Sequence, residues 1–426
     1  MSTIMNDTQV AEIIDGEEKR QQDGLELIPS ENYVSREVRA ALESVLTNKY
    51  SEGYPGNRYY GGQEFTDQVE SLAIERAKRL FHADHANVQP HSGAQANEAV
   101  YTAWLEPGDT VLAMDLSHGG HLTHGAPVTR SAQLYNFVRY GMKDAETGEI
   151  DYEYIRSLAL EHKPKIILAG FSAYPGELDY DTFAEIGREV GALLMADMAH
   201  LAGLIAAGVA QNPLDHGFHV MTTTTHKTLR GPRGGMILSK GAASSPLKAP
   251  EKVIKNIPTL IDRAVFPGTQ GGPHMNTIAA KAVALHEAAQ PEFREYAEKV
   301  IENAQALADA LRDKDFKLIT GGTKNHLIMA DVQASFGVDG KTVQNVLDKI
   351  GLSLNANSIP DDPLPPFRPS GIRLGVPAVT TRGLGAEDMR QLAEWIHQAI
   401  IERDSPEMLE SIREAVVALA HQYPLP

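Results

Sequence analysis

The most constraining feature of the sequence is a series of short apolar runs separated by segments long enough to hold helices. The runs occupy residues 110–113, 165–169, 192–196, 220–223 and 235–238, and each is bounded by Gly, Pro or Asp. Alternating strands and helices of this kind predict a mostly parallel sheet with helices on both faces. The gap between the last two runs is too short for a helix, so we predict a hairpin there. The chain is therefore predicted to be an α/β protein.

The pattern changes after residue 273. Two long helical stretches, 278–290 and 292–313, precede strand-like runs at 317–319, 326–331 and 371–374. A chain of 426 residues is long enough for two or three domains. We predict an N-terminal arm at residues 1–65, a large α/β domain at 66–285 and a smaller α+β domain at 286–426.

Composition narrows the classes of function. The chain has no cysteine, which removes disulfides, thiolate metal sites and cysteine nucleophiles. A net charge of −17 disfavours binding to nucleic acid or to an anionic membrane surface. No apolar run is long enough to cross a bilayer, and the first residues lack the basic start and apolar stretch of a signal peptide. We therefore expect a cytoplasmic protein whose partners are small molecules.

The first candidate site is the run of small residues at Ser92, Gly93 and Ala94, which follows a strand-like segment and opens a predicted helix. Backbone N–H groups at the positive end of a helix form a natural cradle for a phosphate. The alternative interpretation is a tight helix start with Ser92 as its N-cap.

Two further clusters follow the apolar runs. Asp197 ends one run and His200 comes three residues later. The carboxyl end of a buried parallel strand is where α/β sheets bind ligands, although a surface turn would explain the same residues. Lys227 follows four threonines and lies between His226 and Arg230. Burial and neighbouring cations lower the pKa of a lysine, which imine formation requires; an exposed or ion-paired lysine is the alternative.

The three clusters together match the needs of one cofactor. Pyridoxal 5'-phosphate requires a phosphate cradle, a carboxylate for its ring nitrogen and a lysine for a Schiff base. The glycine-rich motifs of dinucleotide and P-loop sites are absent. His118, His121 and His124 offer a metal site as the weaker alternative, because a spacing of three points the imidazoles in different directions. We predict a pyridoxal-phosphate site and no metal.

Longer motifs resemble the serine hydroxymethyltransferase family, which lies within the fold-type I superfamily of pyridoxal-phosphate enzymes. The resemblance runs from about residue 25 to the C-terminal region. It rests on LIPSENY at 27–33, NKYSEGYPG at 48–56, RYYGG at 58–62, HGGHLTHG at 118–125, the threonine-rich lysine segment and SGIR at 370–373. It implies an α/β fold of type I, with a large domain built on a mostly parallel seven-stranded sheet flanked by helices and a smaller α+β C-terminal domain.

The resemblance also implies the reaction. The hydroxymethyl carbon of serine would pass reversibly to tetrahydrofolate, giving glycine and 5,10-methylenetetrahydrofolate. Tetrahydrofolate would be the cosubstrate beside pyridoxal phosphate. The protein would be a homodimer, with a tetramer as the alternative. In either assembly the N-terminal arm and two glycines would reach the neighbouring subunit's site.

Residue roles are carried over by position. The implied cofactor-binding residues are Ser92, Gly93, Ala94, His121, Ser172, Asp197, His200, Gly271 and Gly272. The implied catalytic residues are Lys227, Glu52, Tyr50, Tyr60, His226 and Thr224. The amino-acid substrate would meet Ser30, Arg373 and His200, and folate would meet Glu52, Leu116, Gly120, Leu122 and Asn357. Within these sets, Lys227 would form the Schiff base, Asp197 would pair with the ring nitrogen and His121 would stack on the ring.

Three positions depart from the commonest family pattern, namely Ala94, Thr269 and Ala356. The nearest rival function is a folate-independent pyridoxal-phosphate aldolase acting on threonine-like β-hydroxy amino acids. It predicts no need for Glu52 or Asn357, yet both are present. The second rival is an inactive binding protein, which predicts loss of Lys227, Asp197 or Arg373, and all three are present.

Overall fold

A seven-stranded sheet forms the centre of the larger of two structural units. The structure, a computed structural model, describes residues 6–240 and 256–426. The large unit is Val34–Glu298, and the small unit combines the residues up to Tyr33 with Lys299–Pro426. The domain boundaries expected at 65/66 and 285/286 stay predictions.

The strands of the large sheet alternate with helices along the chain. They are β1 (His85–Asn87), β2 (Thr110–Met114), β3 (Asn136–Tyr140), β4 (Ile166–Gly170), β5 (Leu193–Asp197), β6 (Val220–Thr224) and β7 (Gly235–Ser239). Their spatial order is β1-β7-β6-β5-β4-β2-β3. Neighbours from β6 to β3 pair in parallel, whereas β7 is antiparallel to both β6 and β1. The mostly parallel seven-stranded sheet and the hairpin are both confirmed.

The central strands are apolar because both faces of the sheet are covered. Every residue of β4, β5, β6 and β7 is buried. Parallel strands that carry helices on both faces are expected to be near-continuous in hydrophobic residues. The polar residues in these strands, chiefly the threonines of β6 and Asp197, are therefore costly to bury and must find hydrogen-bond partners.

The helices of the large unit cover the sheet and begin at recognisable caps. Their bounds are Arg36–Leu42, Glu64–Leu80, Gly93–Trp104 (α1), Arg130–Leu134, Tyr152–His162, Tyr180–Val190, Ala202–Ala206, Ile257–Arg263 and Met275–Glu287 (α2). Short helical turns occur at Val45–Asn48, Leu116–His118, Leu122–His124, Pro213–His216 and Ala264–Thr269. Helix Tyr180–Val190 is typical, since the Asp179 side chain accepts the N–H of Thr182 at its start and Gly191 ends it at a φ of 69°.

One apolar cluster joins α1 and helix Ile257–Arg263 to the sheet. Val100 and Tyr101 of α1 lie in the same buried cluster as Leu168, Met195 and Ile261. α2 packs on the helices Glu64–Leu80 and Arg36–Leu42. Two short antiparallel strand pairs, Gly53–Tyr54 with Asn57–Arg58 and Met142–Asp144 with Glu149–Ile150, complete this unit.

The small unit has its own sheet. β8 (Lys317–Leu318), β9 (Leu327–Asp331), β10 (Asn355–Asn357) and β11 (Gly371–Gly375) form an antiparallel sheet in the order β8-β9-β11-β10. Its helices are Thr8–Asp23, Val332–Phe336, Gly340–Lys349, Pro377–Arg382, Ala386–Ile401 and Pro406–Gln422, and the longer helix Pro291–Arg312 continues into it. Leu25–Glu26 pairs in parallel with Leu352–Ser353. In the part of the chain that the structure describes, every helix is too short or too polar to cross a membrane.

Arg382 ties the N-terminal and C-terminal segments of the small unit together. Its guanidinium donates to the main-chain carbonyls of Gln21, Gly24, Ala420 and Tyr423 at 3.1, 2.6, 2.5 and 2.7 Å. The residue is only 6% exposed, so its charge is largely removed from water, and these bonds take the place of the lost hydration.

We expect Arg382→Ala to destabilise the small unit strongly, because four main-chain carbonyls, one of them in the buried Ala420, would lose their donor at once. The free energy of unfolding should fall by about 3 kcal/mol or more, measured by urea denaturation followed by circular dichroism. Arg390→Ala is the matched control, since Arg390 is 59% exposed and pairs with Glu387 one turn earlier in the same helix. It should cost less than about 0.5 kcal/mol. Equal losses in the two variants would contradict the role given to Arg382.

Candidate active site

The carboxyl ends of three adjacent strands bring the predicted residues of the large unit together. Asp197, the last residue of β5, lies opposite Gly170 of β4 and Thr222 of β6. Ser172 follows the end of β4 by two residues, and Lys227 follows the end of β6 by three. This edge is where parallel sheets place ligands.

A buried asparagine connects the small-residue loop to this edge. Asn97 lies in the second turn of α1, the helix that opens at Gly93. Its Nδ2 donates to Asp197 Oδ2 at 2.8 Å, and its Oδ1 accepts the hydroxyl of Thr222 at 2.6 Å. The loop, the carboxylate and the strand leading to Lys227 are therefore joined by one side chain.

Asp197 is held as a carboxylate. Burial alone would raise the pKa of Asp197. The hydrogen bond from His124, the charge of the nearby His121 and the hydrogen bond from Asn97 outweigh that effect, so the pKa lies well below its ordinary value. His124 Nε2 is 3.0 Å from Asp197 Oδ2. The N–H of Ala199 donates to the other oxygen at 3.1 Å. A fixed, ionised carboxylate of this kind can hold a protonated ring nitrogen.

The loop before α1 is built closely against the lysine segment. Ser92 caps α1 by accepting the N–H of Gln95. A Cβ at Gly93 would come 2.8 Å from the Thr224 methyl carbon, and a Cβ at Gly235 would overlap the Ser92 carbonyl oxygen. The first N–H groups of a helix have no partners within it, so this loop presents donors suited to a phosphate.

The lysine segment is also tied to the loop after β5. Lys227 is 8% exposed and His200 is 2% exposed. The hydroxyl of Thr228 donates to the His200 carbonyl at 2.8 Å, and that of Thr224 donates to the Ala199 carbonyl at 3.3 Å. These bonds fix the position of the lysine relative to Asp197.

His226 is neutral in this environment. Burial lowers its pKa to about 3, helped by the positive charges of Arg233 and Lys227. Its Nδ1 accepts the N–H of Gly234 at 3.4 Å. A neutral imidazole adds no further charge beside the lysine.

The three histidines of 118–124 do not act as one group. His121 caps the turn Leu122–His124, its Nδ1 lying 2.8 Å from the Thr123 hydroxyl, and His124 contacts Asp197. His118 instead accepts the N–H of Met142 through Nδ1. In the part of the chain that the structure describes, potential metal-ligand atoms of His121, His124 and Asp197 lie within 4.8 Å of one another.

Tyr50, Glu52 and Tyr60 form a second cluster with the two glycines. Glu52 lies 3.5 Å from the Tyr50 hydroxyl and 3.2 Å from the Tyr60 hydroxyl, and its charge raises the pKa of Tyr60. A Cβ at Gly271 would lie 3.6 Å from Glu52, and one at Gly272 would lie 3.4 Å from the Tyr50 ring. Tyr50 and Tyr60 are 60% and 51% exposed, so this cluster faces outward.

Arg58 holds the loop that carries Glu52. Its buried guanidinium donates to the carbonyls of Ser51 and Gly53, which flank Glu52, and pairs with Glu70 at 2.5 Å and with Asp67 at 2.8 Å. No role was predicted from the sequence for Arg58 or Asn97, and His124 was considered only as a metal ligand. Arg58 and His124 lie inside motifs named above, but only the fold supplies the contacts of all three residues.

The remaining predicted residues are divided between the two units. In the large unit, Gly120 is buried, while Leu116 and Leu122 are 47% and 48% exposed. In the small unit, Arg373 lies on β11 and donates to Asn355 Oδ1 at 3.0 Å, and burial lowers its pKa to about 10.

Ser30 and Asn357 also belong to the small unit. Ser30 lies in the segment after Leu25–Glu26, and Asn357 ends β10 with its amide bonded to the Ser358 carbonyl at 2.7 Å. Both are partly exposed.

The large unit thus fits a flat ring bearing a basic nitrogen and a phosphate. Asp197 suits the nitrogen, the glycine-lined loop suits the phosphate, and the buried Lys227 suits the Schiff base. The fold and these residues define the class of fold-type I pyridoxal-phosphate enzymes.

Comparison with known families agrees with this class. The family model described as serine hydroxymethyltransferase matches residues 3–396 of the 426. The chain belongs to the serine hydroxymethyltransferase family, whose members depend on pyridoxal phosphate and use folate.

We expect His124→Phe to destabilise the protein by about 3 kcal/mol at neutral pH, because Asp197 would remain buried with one fewer donor. In the wild type the lowered pKa of Asp197 contributes stability that is present above about pH 4 and lost as the pH falls further. In the variant, burial that His124 no longer offsets should raise the pKa of Asp197 above its unfolded value of about 4, so the buried carboxylate gains a proton and loses its charge as the pH falls from 7 to 4. The gap between the two proteins should therefore shrink from pH 7 to pH 4 in urea denaturation curves.

The exposed residue His162 provides the control. His162→Phe should change the free energy of unfolding by less than about 0.5 kcal/mol. A gap between His124→Phe and the wild type that stays constant with pH would show that the carboxylate is not stabilised by His124.

Proposed function

We propose that the protein is a serine hydroxymethyltransferase, which transfers the hydroxymethyl carbon of serine to tetrahydrofolate and yields glycine. The observation that carries the proposal is the Asn97 link, which joins the phosphate loop, the ionised Asp197 and the strand leading to Lys227. Pyridoxal phosphate, when bound, supplies the electron sink that stabilises the carbanion left at the α-carbon of the amino acid.

The large unit would hold the cofactor and its charge. Lys227 would bind it covalently, and Asp197 would keep a proton on the ring nitrogen because its own pKa is far too low to take that proton. His226 would stay neutral beside the lysine. Ser92, Gly93 and Ala94 would bind the phosphate, with His121, Ser172 and His200 around the ring.

The small unit would bind the amino-acid carboxylate. Arg373 offers a planar fork of donors, which suits a bidentate bond to a carboxylate in a way that a lysine could not match. Its contact with Asn355 orients the fork, and part of the residue remains accessible. Ser30 would add a hydroxyl to this site, and Asn357, Leu116, Gly120 and Leu122 would bind folate.

The outward-facing cluster would complete the site of a neighbouring subunit. The hydroxyls of Tyr50 and Tyr60 both contact the carboxylate of Glu52 on an exposed part of the large unit. Gly271 and Gly272 lie beside it and would add backbone donors to the neighbour's phosphate. Each active site would therefore need two chains, which requires at least a homodimer.

The folate-independent aldolase is the second candidate function, because it would use the same lysine, carboxylate and arginine. The buried Arg58 network favours the transferase, since it fixes the loop of Glu52, a residue that the aldolase reaction does not require.

Absorbance spectroscopy would test the cofactor and the folate together. We expect the purified protein with pyridoxal phosphate to absorb in the visible range, to change on addition of glycine, and to gain a long-wavelength band when tetrahydrofolate is also present. Borohydride treatment followed by peptide mapping should attach the cofactor to Lys227. Lys227→Ala should lose the attachment and the turnover, whereas Lys240→Ala should keep both.

The outcomes separate the candidate functions. A glycine response without any effect of tetrahydrofolate would favour the aldolase. No cofactor absorbance in the wild type, even with excess pyridoxal phosphate, would overturn both enzymatic functions. Turnover by Lys227→Ala would refute the lysine assignment.

Subunit complementation would test the shared site. Lys227→Ala and Glu52→Gln should each be inactive in the transfer to folate. When the two are unfolded, mixed in equal amounts and refolded, half of the dimers contain both chains, and each of these has one intact site. Activity should then return to about a quarter of the wild-type value. If Lys227 and Glu52 served the same site from one chain, mixing would restore nothing.

A further inference from the structure

A lysine lies fully buried behind the phosphate loop. Lys281, in the middle of α2, is 1% exposed. Its ammonium group donates to three main-chain carbonyls, those of Val88, Pro90 and Gly235, at 2.6, 3.1 and 2.8 Å. A buried ammonium is costly, and carbonyl oxygens offset that cost only in part, so a nearby anion would be the stronger compensation.

The three carbonyls belong to the two segments that frame the loop. Val88 and Pro90 lie between β1 and Ser92, and Gly235 begins β7, directly after the lysine segment. The N–H of Gly235 also donates to the Pro90 carbonyl at 2.9 Å. Lys281 therefore holds both segments that frame the loop.

The loop itself brings no cation. Residues 91–97 read HSGAQAN, and Ala94 adds no hydroxyl. In a protein with a net charge of −17, a phosphate dianion bound there needs a positive charge nearby.

The charge of Lys281 depends on its surroundings. Burial lowers its pKa to about 7, and the charge of Glu70 opposes this lowering. Glu70 is itself paired with Arg58. The charge of Lys281 also acts on His91 and His226, and burial lowers the pKa of each histidine. An anion on the loop would hold Lys281 in its charged form.

We propose that Lys281 is a positioning residue for the cofactor phosphate, shaping the loop through its three carbonyl bonds and supplying the positive charge that the loop lacks. The proposal rests on the function proposed above, in which this loop binds the phosphate of pyridoxal phosphate. The opposing interpretation is a purely structural lysine that holds α2 to the sheet.

Cofactor binding with and without the phosphate separates the two interpretations. Lys281→Gln keeps amide donors for the carbonyls and removes the charge. For the full-length protein freed of cofactor, we expect its dissociation constant for pyridoxal phosphate to rise about tenfold or more, and that for pyridoxal to rise less than about threefold. Lys143→Gln, at an exposed lysine, is the control and should change neither. If Lys281→Gln raised the dissociation constants for both ligands by the same factor, the proposal would be overturned.

Calorimetry of the wild type gives a second test that does not depend on any variant folding. At pH 8 a lysine with a pKa of about 7 is mostly neutral, and both histidines are neutral too. Titrations in buffers of different ionisation enthalpy should show that the binding of pyridoxal phosphate is coupled to the uptake of more protons than the binding of pyridoxal. The difference should approach one proton per site. Proton changes at Lys227 are common to both ligands and cancel. No difference in proton uptake would refute the protonation of Lys281 on phosphate binding, and the comparison of Lys281→Gln with the wild type then decides its positioning role.

The two proposals fail in different ways. A wild type that binds neither pyridoxal phosphate nor pyridoxal would end the proposed function. A wild type that binds both, with the same proton uptake and the same response to Lys281→Gln, would end only the inference about Lys281.

Discussion

The hydrogen bonds that keep Asp197 ionised inside the protein are the interaction on which the active-site architecture depends. A carboxylate at the buried end of a parallel strand is unfavourable unless donors surround it. Asn97 and His124 supply those donors from two different elements, α1 and the turn Leu122–His124. In satisfying one charge, the chain also fixes the start of α1, where the proposed phosphate loop lies, and the turn that carries His121. Stability and site geometry therefore have the same origin.

The fold was largely predictable because its sheet is buried on both faces. Continuous apolar runs such as 166–169 and 193–196 are typical of parallel strands buried on both faces. The gap after β6 is too short for a crossover helix, so the next strand had to form a hairpin with it. Lys227, Asp197 and the small residues at 92–94 could be named as candidates because each lies at or shortly after the end of a predicted strand. Their order along the chain was enough to suggest the cofactor, and the resemblance to a family supplied the rest.

Contacts between distant segments were not predictable in this way. Nothing local in the sequence says that Asn97 bonds to Asp197, one hundred residues away, or that Lys281 meets carbonyls of β7 and of the segment after β1. Arg58 stands in a quoted motif, yet its partner Glu70 lies on a separate helix and looks like a surface acid in sequence. Such residues bind main-chain carbonyls or carboxylates of distant segments, and contacts of this kind produce no regular residue spacing in the sequence.

The anchoring of the small unit by Arg382 has a consequence for how the chain is made. Gly24 emerges early from the ribosome, but the guanidinium that binds its carbonyl lies 358 residues later. At translation rates of roughly 5–20 residues per second, that partner arrives some 20–70 s afterwards. The strand Leu25–Glu26 waits almost as long for Leu352–Ser353. The segment around Gly24 and Leu25 is thus secured only after more than three hundred further residues have been added to the chain.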